Sequence, residues 1–262
     1  MISGDKNYNG VIDELVNGSW ISQTDNKQYG IPIKNIEIRK TLDGRECDLI
    51  EGLHSNQKLL VVSDPFTHKA MGSRIFKNLK AKINVDEFIW EQPSSSIEGV
   101  QFLRTKLKDY DGMIAVGSGT VSDSIKYATF LEDKVYSVFA TTPMNAYTTG
   151  TASISFDGIK KSLVAHYAQG VFFDLEVLSN CPKRLTAAAF ADVICRTTAQ
   201  VDWLMSHKLL NTDYKTTPYE LLALYEMDMI NNASDIAAGK IDSLALLTLI
   251  SAIMGLGTSF TQ

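Results

Sequence analysis

The sequence predicts an α/β fold: a parallel sheet in the first part of the chain, followed by an all-helical part. Two observations carry this. Four short apolar runs, Leu59-Leu60-Val61-Val62, Val85 to Trp90, Met113-Ile114-Ala115-Val116 and Val135 to Ala140, alternate with stretches of helical period, and after Cys181-Pro182 the pattern is helical. Strands covered by helices on both faces read as continuous apolar runs, and repeated strand–helix–strand units close with right-handed crossovers.

The elements follow in order. The alternation Ile31-Pro32-Ile33-Lys34-Asn35-Ile36-Glu37-Ile38 suggests an edge strand, where Pro32 needs no ladder partner. Leu59 to Val62 ends in Ser63-Asp64 and leads into helical spacing at Ala70, Met71, Ile75 and Leu79. After Val85 to Trp90, a Pro-Ser-Ser-Ser loop opens a helix in which Ser95 and Glu98 have the spacing of a capping box. Met113 to Val116 runs into Gly117-Ser118-Gly119-Thr120 and a helix from about Val121 to Leu131. Between Thr149 and Asp174 the period changes to that of strands, and Asp157-Gly158 between two alternating runs marks a hairpin. Thr217-Pro218-Tyr219-Glu220 reads as a helix start, with a threonine cap, proline at the first position and glutamate at the third. The predicted boundaries are residues 1–180 for the α/β domain, with the hairpin connector near 150–174, and 181–262 for the helical domain.

Composition excludes several classes. The chain has 262 residues, 45% hydrophobic and 21% charged, within the globular range, so disorder and a disulfide-stapled miniature are out. A net charge of −5 without a basic run argues against polymeric nucleic acid as a partner. Cys47, Cys181 and Cys195 are far apart and form no C-x-x-C, so they read as small buried hydrophobes in a reducing compartment. The N-terminus MISGDKNYNG lacks the apolar stretch of a signal peptide, which makes cytoplasmic residence the expectation. From Ser243 to Gln262 there is no charge, but the apolar stretch is interrupted by Thr248 and Ser251 and runs into Gly255 and Gly257, short of the ~20 residues that span a bilayer. A buried helix is expected there, and no membrane span.

The strongest local signal is Val116-Gly117-Ser118-Gly119-Thr120-Val121. A strand running through two glycines into a helix start brings backbone N–H groups and the positive helix end to one point, which suits a phosphate. The third glycine of a full dinucleotide fingerprint is Ser122 here, so the motif alone fits a phosphate cradle and a plain tight turn about equally. Asp64, ending an earlier strand, stands where a carboxylate would accept ribose hydroxyls, but an isolated Asp before Pro65 reads first as a helix cap. Asp192 and Arg196 are one helical turn apart, the spacing of a surface ion pair. Yet Asp192 sits among Phe190, Ala191, Val193 and Ile194, where an unpaired carboxylate is costly and a metal is one possible partner. His54, His68, His166 and His207 have no ligand spacing and read as surface or hydrogen-bonded residues.

Read together, these segments resemble the NAD(P)-dependent sn-glycerol-1-phosphate dehydrogenases, within the glycerol dehydrogenase and 3-dehydroquinate synthase-like group of iron-type alcohol dehydrogenases. The resemblance runs from about residue 58 to the end. It is carried by Val116 to Ala128, Ala140 to Thr149, Phe173-Asp174-Leu175-Glu176-Val177-Leu178, and Ala191-Asp192 through Asp202-Trp203. It implies a Rossmann-like domain, a helical metal and substrate domain, NAD or NADP as cofactor, and a divalent metal, zinc or nickel. The implied reaction interconverts sn-glycerol 1-phosphate and dihydroxyacetone phosphate, a phosphorylated small-molecule substrate. In family terms Gly117, Ser118, Gly119, Thr120 and Val121 would cradle the pyrophosphate, Thr141, Thr142 and Thr149 would contact the cofactor, and Asp64 would meet the adenine ribose. Asn145 would belong to the substrate, and Asp192 would be catalytic as the first metal ligand and a substrate contact.

Three departures from the family pattern are legible. The family loop T-A-P-S-M-D-G is here Pro143-Met144-Asn145-Ala146, with an amide for the carboxylate and a methyl for the glycine. The family's G-D-x-x-x-K is here Ala191-Asp192-Val193-Ile194-Cys195-Arg196, which keeps the charges but not the lysine geometry. The family's two metal-binding histidines follow the small-residue stretch, so the helical domain is expected to be incomplete. Loss of a helical segment would then expose the apolar face of Leu244 to Met254 and favour association between copies, so a homo-oligomer is conceivable. Two other readings stay open: a dinucleotide-binding protein without catalysis, and a glycerol or polyol dehydrogenase.

Overall fold

The four apolar runs all become strands of one parallel sheet, three of them in its interior and the second, Val85–Ile89, at its half-buried edge. The computed structural model describes residues 6–260; Met1–Asp5 and Thr261–Gln262, which the predicted domains include, lie outside them. Before the regular alternation come α1 (Ile12–Val16), a short antiparallel ladder of β1 (Trp20–Ile21) and β2 (Gln28–Tyr29), β3 (Asn35–Arg39) and α2 (Glu46–Glu51). The alternation itself is β4 (Leu59–Ser63), α3 (Pro65–Thr67), α4 (Ser73–Lys80), β5 (Val85–Ile89), α5 (Ile97–Leu107), β6 (Gly112–Gly117), α6 (Gly119–Leu131) and β7 (Val135–Ala140). A hairpin of β8 (Thr151–Phe156) and β9 (Ile159–Val164) precedes β10 (Gly170–Asp174) and α7 (Leu175–Ser179). The helical part comprises α8 (Lys183–Ile194), α9 (Arg196–Leu210), α10 (Thr217–Ala223), α11 (Glu226–Asn231), α12 (Ala233–Ala237) and α13 (Ile241–Leu256).

The six-stranded sheet has the order β3-β10-β7-β6-β4-β5, every pair parallel. Strands β4, β6 and β10 are buried at every residue, as continuous apolar runs require. From β4 the chain moves to β5 on one side and then back to β6 on the other, so the direction of winding reverses between the ends of β4 and β6. At such a switch the loops diverge and leave a crevice.

Several local expectations are corrected. The N-terminal strand begins at Asn35, not Ile31, and Pro32 lies ahead of it. The strand does form the sheet edge, and Ile33, Ile36 and Ile38 are buried under α1 and α13. The helix after β4 is not regular: Pro65–Thr67 passes through a π-helical stretch, His68–Gly72, before α4, and Gly72 passes close to Ser63. The cap of α5 is Ser96, whose Oγ accepts from the Gly99 N–H at 3.3 Å, while the Ser95 carbonyl accepts from the Ser155 N–H at 2.7 Å and ties the hairpin down. At α10 the cap position is Thr216, without a side-chain bond, and Pro218 is one place further in than expected. Glu220 does not close a capping box; its Oε2 accepts from the hydroxyls of Ser22 at 2.7 Å and Thr24 at 3.0 Å, anchoring the turn between β1 and β2. The hairpin stands as read: Asp157 and Gly158 both have positive φ, 49° and 79°, the conformation a two-residue turn demands.

Helix α13 is buried along its length, packing on α7, α8, α10 and the turn Asn145–Thr148. Its apolar face is therefore not the exposed one. That role falls to α9, which has no buried residue and exposes Val201, Met205, Leu209 and Leu210. Among the cysteines only Cys47 is buried; Cys181 is half-buried, Cys195 exposed, and all three thiols are free. No described helix is long and apolar enough to cross a membrane. Each histidine has a partner: His54 bridges Gln57 and Ser137, His68 faces Glu87, His166 meets Thr129 and His207 meets the Thr212 carbonyl.

Two outcomes follow from this packing. A Cβ on Gly255 would collide with the Thr148 hydroxyl and the Asn145 carbonyl, so Gly255→Ala should lower the unfolding free energy by about 1–3 kcal/mol in urea denaturation. Burial, aided by the Lys126 ammonium, pushes the His166 imidazole down from 6.5 to about 4. Between these values the unfolded chain binds the proton that the folded chain refuses, so stability is full above pH 6.5 and falls as pH drops toward 4. His166→Gln should flatten the dependence of the urea midpoint on pH across that window.

Candidate functional site

Strand β6 ends at Gly117, and one extended residue, Ser118, separates it from α6. A Cβ on Gly117 would sit 2.8 Å from the Val121 Cβ, so the strand and the first turn of the helix touch only because this residue is glycine. At Gly119 the situation is opposite: no atom lies within 4 Å of where a Cβ would be, and the space opens outward. The Ser118 hydroxyl makes no cap bond, so the first N–H groups of this 13-residue helix face the opening without a side-chain acceptor. Behind the turn, Tyr147 fixes it in place. Its hydroxyl donates to the Gly117 carbonyl at 3.1 Å and receives the Thr142 hydroxyl at 2.6 Å. Burial raises the Tyr147 phenol well above its ordinary value, so it stays a donor at all physiological pH.

Across the opening, Asp64 ends β4 and caps α3. Its Oδ1 accepts from the Phe66 N–H at 2.8 Å and the Thr67 N–H at 2.9 Å, while the Thr67 hydroxyl receives the Asp64 N–H at 3.0 Å. The cap reading is thus correct, and it leaves Oδ2 without a hydrogen bond among the described residues. Asp64 also lines a cleft of about 740 Å³ together with Phe66, Glu91, Ser118, Thr120, Thr141, Thr142, Asn180, Pro182 and Leu185. The cleft lies where the winding reverses. Three carboxylates line it, Asp64, Glu91 and Glu176, and no Lys, Arg or His does.

The remaining sequence-derived residues divide into two groups. Val121 contributes its backbone to the helix start, but its side chain is buried under Gly117. Thr149 is outside the cleft lining, and its hydroxyl bonds to the Lys126 ammonium at 3.0 Å and the Thr151 carbonyl at 2.9 Å. Asn145 and Asp192 form a separate pair: Asn145 Nδ2 donates to Asp192 Oδ2 at 2.8 Å, while Asp192 Oδ1 lies 3.9 Å from Cys195 Sγ. The expected Asp192–Arg196 ion pair is absent. Helix α8 stops at Ile194, and Arg196 starts a new helix, where it turns to Glu226, with Nε to Oε1 at 3.0 Å, and to Gln200 at 2.9 Å. Asp192 is half-buried, so its carboxylate is partly in water. Among the described residues no three His, Cys, Asp or Glu side chains are placed to hold a metal, at Asp192 or elsewhere.

Sequence reasoning missed Lys126, completely buried behind the turn, as well as Phe66, Glu91 and Glu176. Glu91 follows directly after the second strand, and ends of parallel strands were the available signal. Lys126 lies within the block Val116 to Ala128, three positions after Asp123, a spacing that is ordinarily a surface ion pair.

An uncapped helix start and a carboxylate lining one switch-point cleft form the kind of arrangement in which α/β proteins bind phosphate-bearing ligands. The chain belongs to the iron-containing alcohol dehydrogenase family, whose sequence model matches residues 37–182. It is 28% identical over 192 residues to a protein of Geobacillus thermodenitrificans named glycerol-1-phosphate dehydrogenase (NAD(P)+), a match covering 70% of this chain and 48% of that one. The Bacillus subtilis protein of the same name is 26% identical over 224 residues, covering 80% and 55%. This chain thus spans about half the length of these curated relatives. In fold it is similar to an iron-containing alcohol dehydrogenase of Thermotoga maritima, with a TM-score of 0.69, 17% identity, and coverage of 87% of this chain and 67% of that one.

The double use of Asp64 can be separated. Asp64→Ala should cost about 1 kcal/mol in urea unfolding, whereas Asp64→Ser, which keeps a capping oxygen, should leave stability within a few tenths.

Proposed function

We propose that this chain binds NAD(H) and serves an NAD(P)-linked oxidoreductase that interconverts sn-glycerol 1-phosphate and dihydroxyacetone phosphate. The observation that carries the reading is the open Gly117–Thr120 turn on the cleft, where a Cβ at Gly119 would project into free space. The names of the relatives support the substrate.

The residues fit the nucleotide. Backbone N–H groups of the first turn of α6, with the Ser118 and Thr120 hydroxyls, bind the pyrophosphate, and the helix end supplies the positive potential that the acidic cleft lacks. Asp64 Oδ2 accepts from the adenine ribose. Thr141 and Thr142 form the wall toward the reacting ring, and the buried Tyr147 hydroxyl holds that wall to Gly117. The cofactor, when bound, gives or takes a hydride at the carbon that carries the substrate oxygen. Asn145 donates from its amide and Asp192 accepts with its carboxylate, so together they can hold a hydroxyl or carbonyl oxygen of a small polyol. Asp64, Glu91 and Glu176 repel a 2′-phosphate, which favours NAD over NADP.

A divalent metal, zinc or nickel as the resemblance implies or iron as the family's name has it, does not fit the residues described. One half-buried carboxylate, already bonded to an amide, falls short of the three protein ligands such sites use. This favours, as a second reading, a homologue that binds the dinucleotide without turning over substrate.

Titration of the chain with NADH, followed by nicotinamide fluorescence, should give saturable binding, tighter than for NADPH, and Asp64→Ser should narrow that preference. Gly119→Ala should weaken NADH binding roughly tenfold, about 1.4 kcal/mol, with no change in thermal midpoint. Absence of saturable NADH binding would remove both readings. Dihydroxyacetone phosphate, and not dihydroxyacetone, should perturb the bound NADH; turnover then separates the enzyme from the silent homologue.

A further inference from the structure

Lys126 is fully buried, and its ammonium is placed against the turn that follows β7 rather than against solvent. It donates to the carbonyls of Ala146 at 2.7 Å and Thr151 at 2.8 Å and to the Thr149 hydroxyl at 3.0 Å, with the Asp123 carboxylate 3.2 Å away. The other oxygen of Asp123 accepts from the Ser153 N–H at 3.1 Å. One charge on α6 therefore holds the turn from its middle, at Ala146, to its end at Thr149 and on to the first residue of the hairpin, Thr151. On the opposite face, the Thr148 hydroxyl donates to the Ala252 carbonyl of α13 at 2.8 Å. The corner left between the two grips is Asn145, which reaches Asp192.

A methionine, one atom shorter, would fill most of this volume without the desolvation that a buried ammonium costs. What the ammonium adds is direction: three donors aimed at oxygens on one short, non-repetitive turn. We propose that Lys126 is a positioning residue, whose buried ammonium sets the turn that carries Asn145 and, through Asn145, the orientation of the Asp192 carboxylate. The inference rests on the reading of Asn145 and Asp192 as the pair that meets substrate. It also ties that pair to the helix whose N-terminus faces the cleft, since the Gly119 and Lys126 ends of the link lie on α6.

The test is side-chain amide exchange at Asn145 in the whole chain, labelled with 15N-asparagine, with the Asn145 signal identified by its loss in Asn145→Ser. In Lys126→Met, measured well below its unfolding midpoint, the Asn145 amide should exchange at least roughly tenfold faster and take the chemical shift seen in Asp192→Ala. NADH affinity should change less than about threefold, because the cradle lies at the other end of the contact. Lys126→Gln, which keeps two donors, should fall between, and it decides the matter if the methionine variant does not fold. An Asn145 signal unchanged in shift and exchange, with only a lowered unfolding midpoint, would overturn the inference and leave Lys126 a purely structural group. Failure of the wild-type chain to bind NADH would defeat the proposed function and leave the Asn145 measurement as decisive as before.

Discussion

The structure turns on a buried ammonium. Taking a lysine fully out of water is costly, and burial lowers the affinity of Lys126 for its proton, opposed by the charge and hydrogen bond of Asp123. The cost is offset only if carboxylate, carbonyls and hydroxyl all stay in place, so these elements hold or yield together. Helix α6 supplies the cation, the hairpin start supplies Thr151 and Ser153, and the turn after β7 supplies Ala146 and Thr149. Helix α13 closes over the same turn, with Gly255 as the point of closest approach. The α/β sheet and the helical part thus share one junction rather than merely touching.

Around that junction each device serves the cleft. Glycine at position 117 lets β6 and α6 meet, the missing Cβ at 119 leaves room, and Tyr147 binds the carbonyl of the first to the threonines beyond β7. Asp64 both caps a helix and lines the cleft. One oxygen is consumed by two N–H groups of α3, which fixes the direction of the other.

Much of the fold was legible because it is written in local period. The four strands β4 to β7, the helix after Gly119 and the Asp157-Gly158 hairpin all follow from spacing that is visible in a window of a few residues. What was not legible depends on residues far apart. Glu220 looks like a capping residue until the turn containing Ser22 and Thr24, some 200 positions away, offers it better donors. Arg196 looks like the partner of Asp192 until the chain bends at Cys195 and presents Glu226 instead. Ser96 displaced Ser95 as the cap because the carbonyl of Ser95 is drawn into the hairpin. For the site, glycine spacing marked the turn that lines the cleft, whereas the burial of Lys126 could not be read from its neighbours, since a lysine in a helix is ordinarily at the surface. The exposed face was assigned to the wrong helix for a related reason: hydrophobicity without period says that a helix is buried somewhere, and α13, the more apolar one, took the interior.

The sheet edge has a consequence for the order of assembly. Strand β3 pairs with β10 alone, residue for residue from Asn35 with Gly170 to Arg39 with Asp174. On a ribosome the first strand of the sheet therefore emerges long before its only neighbour and must wait, with Ile36 and Ile38 uncovered, until β10 has been made. The β4–β7 core can form in that interval, since its four strands pair among themselves. Completion of the sheet is then a late event, which waits on the chain from Leu59 to Asp174.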